Sequence, residues 1–320
     1  MVRRVISLAV LTAALVLGSS TTQAGPDQAS TCLGKRVTVM GSPGNDGLKG
    51  TAKRDVIFAG NGDDSVDGGG GRDVICGGEG NDTLAGGVGS DELSGDNGND
   101  RLDGGPGLDY AVYENSPGPV SVDLSRGVAT GWGTDSLSAI EALIGSRTGD
   151  RLTGNGRANY FAGLEGGDDI TAGSGNDYLD GGRGRDKLKG GKGFDTVDFF
   201  FSRQGVTANL ASGVAHGYGR DRISNVEDVD GSRFKDVLIG NASPNWIRGF
   251  GGNDIIVVSS GHDRGEGGNG HDQVRGGRGN DRLAGGPGRD RLSGGGGRDR
   301  LSGGAGRDDC ENGERLVSCE

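Results

Sequence analysis

The stretch Gly68 to Ala111 reads GGGGRDVIC, GGEGNDTLA, GGVGSDELS, GDNGNDRLD and GGPGLDYA. Each complete unit is nine residues long. Gly opens it, Gly returns at the fourth place, Asp holds the sixth, and an apolar residue holds the eighth. Asp73, Asp82, Asp91, Asp100 and Asp109 fall nine apart, as do Ile75, Leu84, Leu93 and Leu102. Glycines at the first, second and fourth places permit turns with positive φ and leave backbone carbonyls unobstructed. The segment around the eighth place suits a three-residue strand with one side chain pointing inward. When such turns stack, their carboxylates stack too, and unpaired rows of them repel. A hard cation removes that repulsion, and calcium takes 6–8 oxygen ligands in flexible geometry.

Extended in both directions, the period gives three arrays. The first runs over 41–112, with sixth-place residues Asp46, Asp55, Asp64, Asp73, Asp82, Asp91, Asp100 and Asp109. The second spans 145–198, with Asp150, Asn159, Asp168, Asp177, Asp186 and Asp195. The third spans 231–309, with Asp236, Asn245, Asp254, Asp263, Asp272, Asp281, Asp290, Asp299 and Asp308. Asp suits Gly-rich turns in general. That alone does not explain its near-exclusive hold on the sixth place while Asn is frequent at the fifth.

The pattern resembles the RTX, or haemolysin-type, calcium-binding nonapeptide G-G-x-G-x-D-x-U-x. The resemblance implies an all-β parallel β-roll with two nonapeptides per coil. Each ion then lies between turns eighteen residues apart, bound by the sixth-place Asp residues. The arrays therefore predict calcium ligands at every sixth-place Asp except Asp150 and Asp236. Those two, with Asn159 and Asn245, belong to the repeats after each insert, where Thr148, Arg157, Phe234 and Ser243 replace the fourth-place Gly. Calcium is expected to be weak or absent there. Lys53 is a fifth such replacement, and Gly265 at an eighth place leaves an expected gap in the apolar ladder.

The arrays are separated by two inserts, 113–144 and 199–230, which align without a gap at an offset of 86. Val120-Ser121-Val122-Asp123-Leu124 matches Val206-Thr207-Ala208-Asn209-Leu210, Gly131-Trp132-Gly133 matches Gly217-Tyr218-Gly219, and Ile140-Glu141 matches Val226-Glu227. This is an internal duplication. Its alternating pattern predicts longer half-buried strands, with a loop around Trp132 or Tyr218. Because 86 is not a multiple of nine, each insert breaks the repeat phase, so three roll segments are expected.

Composition excludes an ordinary globular core. Gly is 71 of 320 residues, while apolar residues make up only 31% and aromatics 5%. Such a chain is expected to be disordered without the ion and folded with it. Residues 1–24 carry Arg3 and Arg4, an apolar run from Val5 to Leu17 and a small-x-small Thr22-Gln23-Ala24, which predicts a cleaved secretory signal. The arginine pair also fits a twin-arginine route. No other segment is apolar enough to span a membrane. The formal charge of −11 argues against nucleic acid as a partner.

Four cysteines suit an oxidising compartment. Three pairings are possible, and sequence does not choose among them. Cys32–Cys76 and Cys310–Cys319 are the expected pairs, each closing one end of the solenoid. Residues 25–40 are expected to form an N-terminal cap, with Val37-Thr38-Val39 as a strand covering the first coil, and 310–320 a C-terminal cap.

No H-E-x-x-H or G-x-S-x-G is present, and His occurs only at His216, His262 and His271. The reading is a secreted, extracellular, non-enzymatic calcium-binding repeat protein. Two rivals are weighed beside it. One is an adhesin that holds surface polysaccharide through the inserts and through the eight arginines between Arg275 and Arg307. The other is a carbohydrate-active enzyme on a β-solenoid.

Overall fold

The computed structural model describes residues 31–319. The expected signal at 1–24 lies outside them. The fold is all-β, with no helix among the described residues, and its strands are stacked as a parallel β-roll. Backbone contacts divide the chain into two units. Among the described residues, the first comprises 31–113 together with Gly127–Ala142, and the second comprises Glu114–Arg126 and 143–319.

In the first unit two parallel ladders run side by side. One contains Val39–Met40, Val56–Asn61, Val74–Glu79, Glu92–Asn97 and Tyr110–Val112. Its rungs align Val39 with Ile57, Ile57 with Ile75, Ile75 with Leu93 and Leu93 with Ala111, eighteen residues at each step. The other aligns Leu48, Val66, Leu84 and Leu102 in the same steps. Two nonapeptides therefore make one coil. Strand alternation sends every eighth-place side chain inward, and Ile57, Ile75, Leu84, Leu93 and Leu102 are fully buried. Val39 belongs to the first rung of its ladder, so Val37–Val39 is not a separate strand lying over the coil.

The second unit repeats the plan. Phe161, Leu179 and Val197 align in one ladder, and Leu152, Ile170 and Leu188 in the other. Beyond the second insert, Ile247, Gly265, Leu283 and Leu301 align in the first ladder, and Leu238, Ile256, Val274, Leu292 and Cys310 in the second. The expected gap at Gly265 is closed from within. A Cβ there would lie 2.9 Å from Val274 Cγ1 and 3.2 Å from Val258 Cγ1. Val258, at a first place normally held by Gly, fills the space and is fully buried.

The second insert leaves the two ladders in different ways. In the first, Thr196–Asp198 pairs directly with Asp228–Asp230, thirty-two residues on, and Val229 then meets Ile247. In the second, Lys187–Lys192 pairs with Arg220–Ser224 thirty-five residues on. Val214–His216 and Thr207–Asn209 follow as antiparallel strands, and Ala208 resumes parallel pairing with Leu238. The insert thus absorbs the broken phase by adding a two-strand meander to one face only.

Both expected disulfides form, Cys32–Cys76 and Cys310–Cys319. Cys310 occupies the eighth-place register after Leu292, so this bridge takes the place of the last core side chain. Cys32 belongs to a small antiparallel hairpin, Thr31–Cys32 with Lys35–Arg36. Cys76 lies in the third rung of its ladder, and Lys35 forms an ion pair with Glu92 in the fourth. The hairpin is therefore pinned beside the ladder, not over its end.

Candidate metal centre

Each sixth-place residue ends a turn and sits just before a strand. Wherever another regular coil follows, its amide donates to a side-chain oxygen of the sixth-place residue one coil further on. Asp73 donates to Asp91 Oδ1 at 2.8 Å, Asp91 to Asp109 at 2.8 Å, Asp168 to Asp186 at 2.9 Å and Asp272 to Asp290 at 2.9 Å. The side chains consequently stack in columns along the roll edges. Asp91, Asp109, Asp177, Asp195 and Asp290 have no exposed surface.

The second oxygen divides the turns into two kinds. In six turns the second-place amide donates to the sixth-place side chain of the same turn. These bonds run from Ser42 to Asp46 (2.6 Å), Thr51 to Asp55 (2.7 Å), Ser146 to Asp150 (2.6 Å), Asn155 to Asn159 (3.0 Å), Ser232 to Asp236 (2.6 Å) and Asn241 to Asn245 (2.8 Å). We call these turns closed. In the other seventeen, Asp Oδ2 is buried and has no hydrogen-bond partner. These are Asp64, Asp73, Asp82, Asp91, Asp100 and Asp109; Asp168, Asp177, Asp186 and Asp195; and Asp254, Asp263, Asp272, Asp281, Asp290, Asp299 and Asp308.

Backbone conformation separates the two kinds. Every open turn has its second residue at positive φ, including the non-glycines Asp96 (62°), Leu164 (75°), Phe250 (68°) and Ser259 (81°). No closed turn does. Positive φ there goes with an Oδ2 that the second-place amide does not reach. A bare buried carboxylate oxygen costs several kcal/mol unless something binds it.

The bare oxygens face other oxygens. A Cβ built on Gly86 would lie 2.7 Å from Asp91 Oδ2 and 2.8 Å from the Gly104 carbonyl oxygen of the next coil. Carboxylate and carbonyl oxygens thus converge on a space kept open by the missing side chain. That is a hard, all-oxygen donor set of the kind calcium takes. Among the described residues no three His, Cys, Asp or Glu side chains gather as a metal cluster. Donors in the turns are instead single carboxylates combined with backbone carbonyls.

Burial pushes these carboxyls up. Asp100 rises to about 7, against the lowering bond from the Asp82 amide and with added repulsion from Asp135, Asp82 and Asp96. Burial lifts Asp168 to about 8, with Asp186 and Asp150 adding to it, and Asp254 to about 7. Asp73, Asp82, Asp263 and Asp272 reach about 6 for the same first reason. Without a cation, burial makes the charged form of these groups costlier than it is in water.

The structure places two predicted ligands apart from the rest. Asp46 and Asp55 lie in closed turns, so their Oδ2 atoms are already bonded. It also adds four carboxylates that the nine-residue period does not reach. Asp100 donates to Asp135 Oδ1 at 3.1 Å and Asp186 to Asp221 Oδ1 at 3.2 Å. Asp109 donates to Glu141 Oε2 at 3.2 Å and Asp195 to Glu227 Oε2 at 3.1 Å. Their signal was the duplication itself, which keeps Asp135 with Asp221 and Glu141 with Glu227, each two residues before an apolar side chain. The expected loop at Trp132 proves to be a turn of the same stack. The Trp132 carbonyl accepts the Gly98 amide at 3.3 Å, and the Thr134 amide donates to Asn99 Oδ1 at 2.9 Å.

A coiled parallel roll with oxygen-lined turns along its edges defines the class of protein. The family model for the RTX calcium-binding nonapeptide repeat matches 40–75, 77–111, 144–179, 162–197 and 230–265, with further overlapping matches to residue 310. These cover well over half the chain, and the chain belongs to that family. It is a calcium-binding repeat protein. No curated protein matches it significantly.

Proposed function

We propose that this is a secreted, non-enzymatic protein whose folding is driven by calcium bound in its open turns, with a structural or surface-associated role. The observation that carries the reading is the row of seventeen buried Asp Oδ2 atoms without partners. The apolar core is thin, built mainly on the eighth-place side chains of the two ladders. Ion binding then becomes folding free energy. Each site contributes about 2.7 kcal/mol when calcium stands a hundredfold above Kd, and sites of extracellular modules bind at roughly 0.1–1 mM. The closed turns of Asp46, Asp55, Asp150, Asn159, Asp236 and Asn245 need no ion, because an amide already fills that role. Two disulfides and the expected signal at 1–24 support export to an oxidising, calcium-rich compartment.

Native mass spectrometry of the chain in calcium tests this. The reading expects several ions and no more than seventeen, one per free Oδ2. A chain that retains no calcium contradicts it.

A second reading rests on one alignment. Arg264, Arg282, Arg300 and Arg315 occupy a single file across neighbouring strands, spaced by the strand separation of about 4.8 Å. The Arg264 guanidinium also lies 4.6 Å from the Trp246 ring centroid. Such a file suits an anionic surface polysaccharide. Changing Arg282 and Arg300 together to Ser should then abolish polyuronide binding. Tyr218 fits this role less well, because its hydroxyl donates to the Phe201 carbonyl at 2.8 Å and Arg183 covers its ring.

A further inference from the structure

We propose that each insert completes a calcium site of its own, with Glu141 in the first and Glu227 in the second standing where the next coil's aspartate would stand. The inference rests on the calcium reading above, but adds Glu141 and Glu227, which lie outside the stretches that match the repeat family.

Three features meet in an open turn of the regular stack, and the third, absent from closed turns, sets it apart. The sixth-place amide donates to the carboxylate of the next coil. A carbonyl of that coil stands over the first-place glycine. The Asp Oδ2 beside it is buried and bare. All three recur at Asp195 with residues of the insert. The Asp195 amide donates to Glu227 Oε2. A Cβ on Gly190 would close on both the Asn225 carbonyl oxygen and Asp195 Oδ2. Asp195 is fully buried and its Oδ2 has no partner. The amides of Glu227 and Asp228 both donate to the Asp195 carbonyl, at 3.1 and 2.9 Å, and so fix the glutamate above the aspartate.

The first insert repeats the arrangement. Asp109 donates to Glu141 Oε2, and Glu141 and Ala142 donate to the Asp109 carbonyl at 3.1 and 2.9 Å. A Cβ on Gly104 would close on the Ala139 carbonyl oxygen and the Asp109 side chain, and Asp109 Oδ2 is bare. Ala139 and Asn225 both adopt φ of 51°, a left-handed turn that no repeat period predicts at these residues. In each case the turn carries a carbonyl to the place that a first-place glycine carbonyl holds elsewhere. Glutamate supplies the same hard oxygens as aspartate on a side chain one methylene longer. The metal columns therefore continue into the inserts and do not stop at them.

The test counts calcium on the full chain by native mass spectrometry and follows affinity by calorimetric titration with calcium chloride. Glu227→Gln keeps an oxygen for the Asp195 amide but removes the charge. It should lose one ion, or bind it at least tenfold more weakly. Glu141→Gln should do the same independently, and the double variant should lose two. Glu165→Gln, which breaks an exposed ion pair with Arg183, should lose none. Should one variant fail to fold in calcium, the other carries the test. A folded Glu141→Gln or Glu227→Gln chain with the wild-type count and affinities overturns the inference and leaves the calcium reading standing. A wild-type chain without calcium overturns the calcium reading itself.

Discussion

At the scale of the residue, the second place of the nonapeptide decides what the sixth can do. Ser42, Thr51, Ser146, Asn155, Ser232 and Asn241 keep φ out of the positive region, and each turns its amide onto the side chain four residues on. Glycine in the same place takes positive φ and leaves the carboxylate bare. Gly277 stands at φ 118°, a conformation that L side chains rarely adopt. A Cβ on Gly277 would also lie 1.7 Å from the Ser259 carbonyl oxygen, so Gly277→Ser should distort this turn, weaken its calcium site and destabilise the calcium-bound chain by about 1–3 kcal/mol. Gly296→Ser brings its Cβ only to ordinary contact with the Gly277 carbonyl oxygen, 3.9 Å away, at a φ outside the positive region, and should change neither. Ion counts and calcium-dependent melts of the two variants decide this. The sequence shows the periodic Asp and the fourth-place substitutions, but it does not single out the second place. Gly44 shows why: Asp46 has a regular fourth-place glycine and still lies in a closed turn, because Ser42 supplies the amide.

At the scale of the element, a rung is a short strand of two to seven residues that turns its eighth-place residue inward, and along its ladder it pairs only with the rungs on either side. Damage should stay local, as in other solenoids. Leu93→Ala should cost about 2–5 kcal/mol in the coils around it, read by hydrogen exchange in calcium as lost protection of Val74–Glu79 and Glu92–Asn97, with 282–301 unaffected. Reducing Cys32–Cys76, whose partners lie 44 residues apart, should cost about 4 kcal/mol on loop-closure grounds. The same experiment should place that loss in the first coils only. Strand positions and their inward side chains were legible, because a period of nine fixes them. The meander of the second insert was legible as strands but not as topology. Nothing local in Thr207–Asn209 or Val214–His216 says that only one ladder receives them. That follows from the thirty-two and thirty-five residue steps, which are properties of the closed coil.

At the scale of the whole molecule, the balance lies between columns of buried carboxyls and what neutralises them. Protons can do it in part. The folded-state carboxyls of Asp73, Asp100, Asp168 and Asp254 stand at about 6 to 8, above the unfolded value near 4. The metal-free roll thus holds more protons than the unfolded chain. Its stability falls as pH rises through that window and is greatest below it. In chelator the chain should become more ordered from pH 8 to pH 5, whereas calcium affinity should rise from pH 5 to pH 8 as protons leave the same oxygens. Thermal melts and calcium titrations at the two pH values check both slopes. The measurement that bears most directly on the account is far-ultraviolet circular dichroism at pH 7.5, first in excess chelator and then as calcium is raised into the millimolar range. The account predicts a largely unordered spectrum that converts cooperatively to β structure with calcium and reverts when the ion is withdrawn. A β spectrum and melting temperature identical in chelator and in calcium would contradict it.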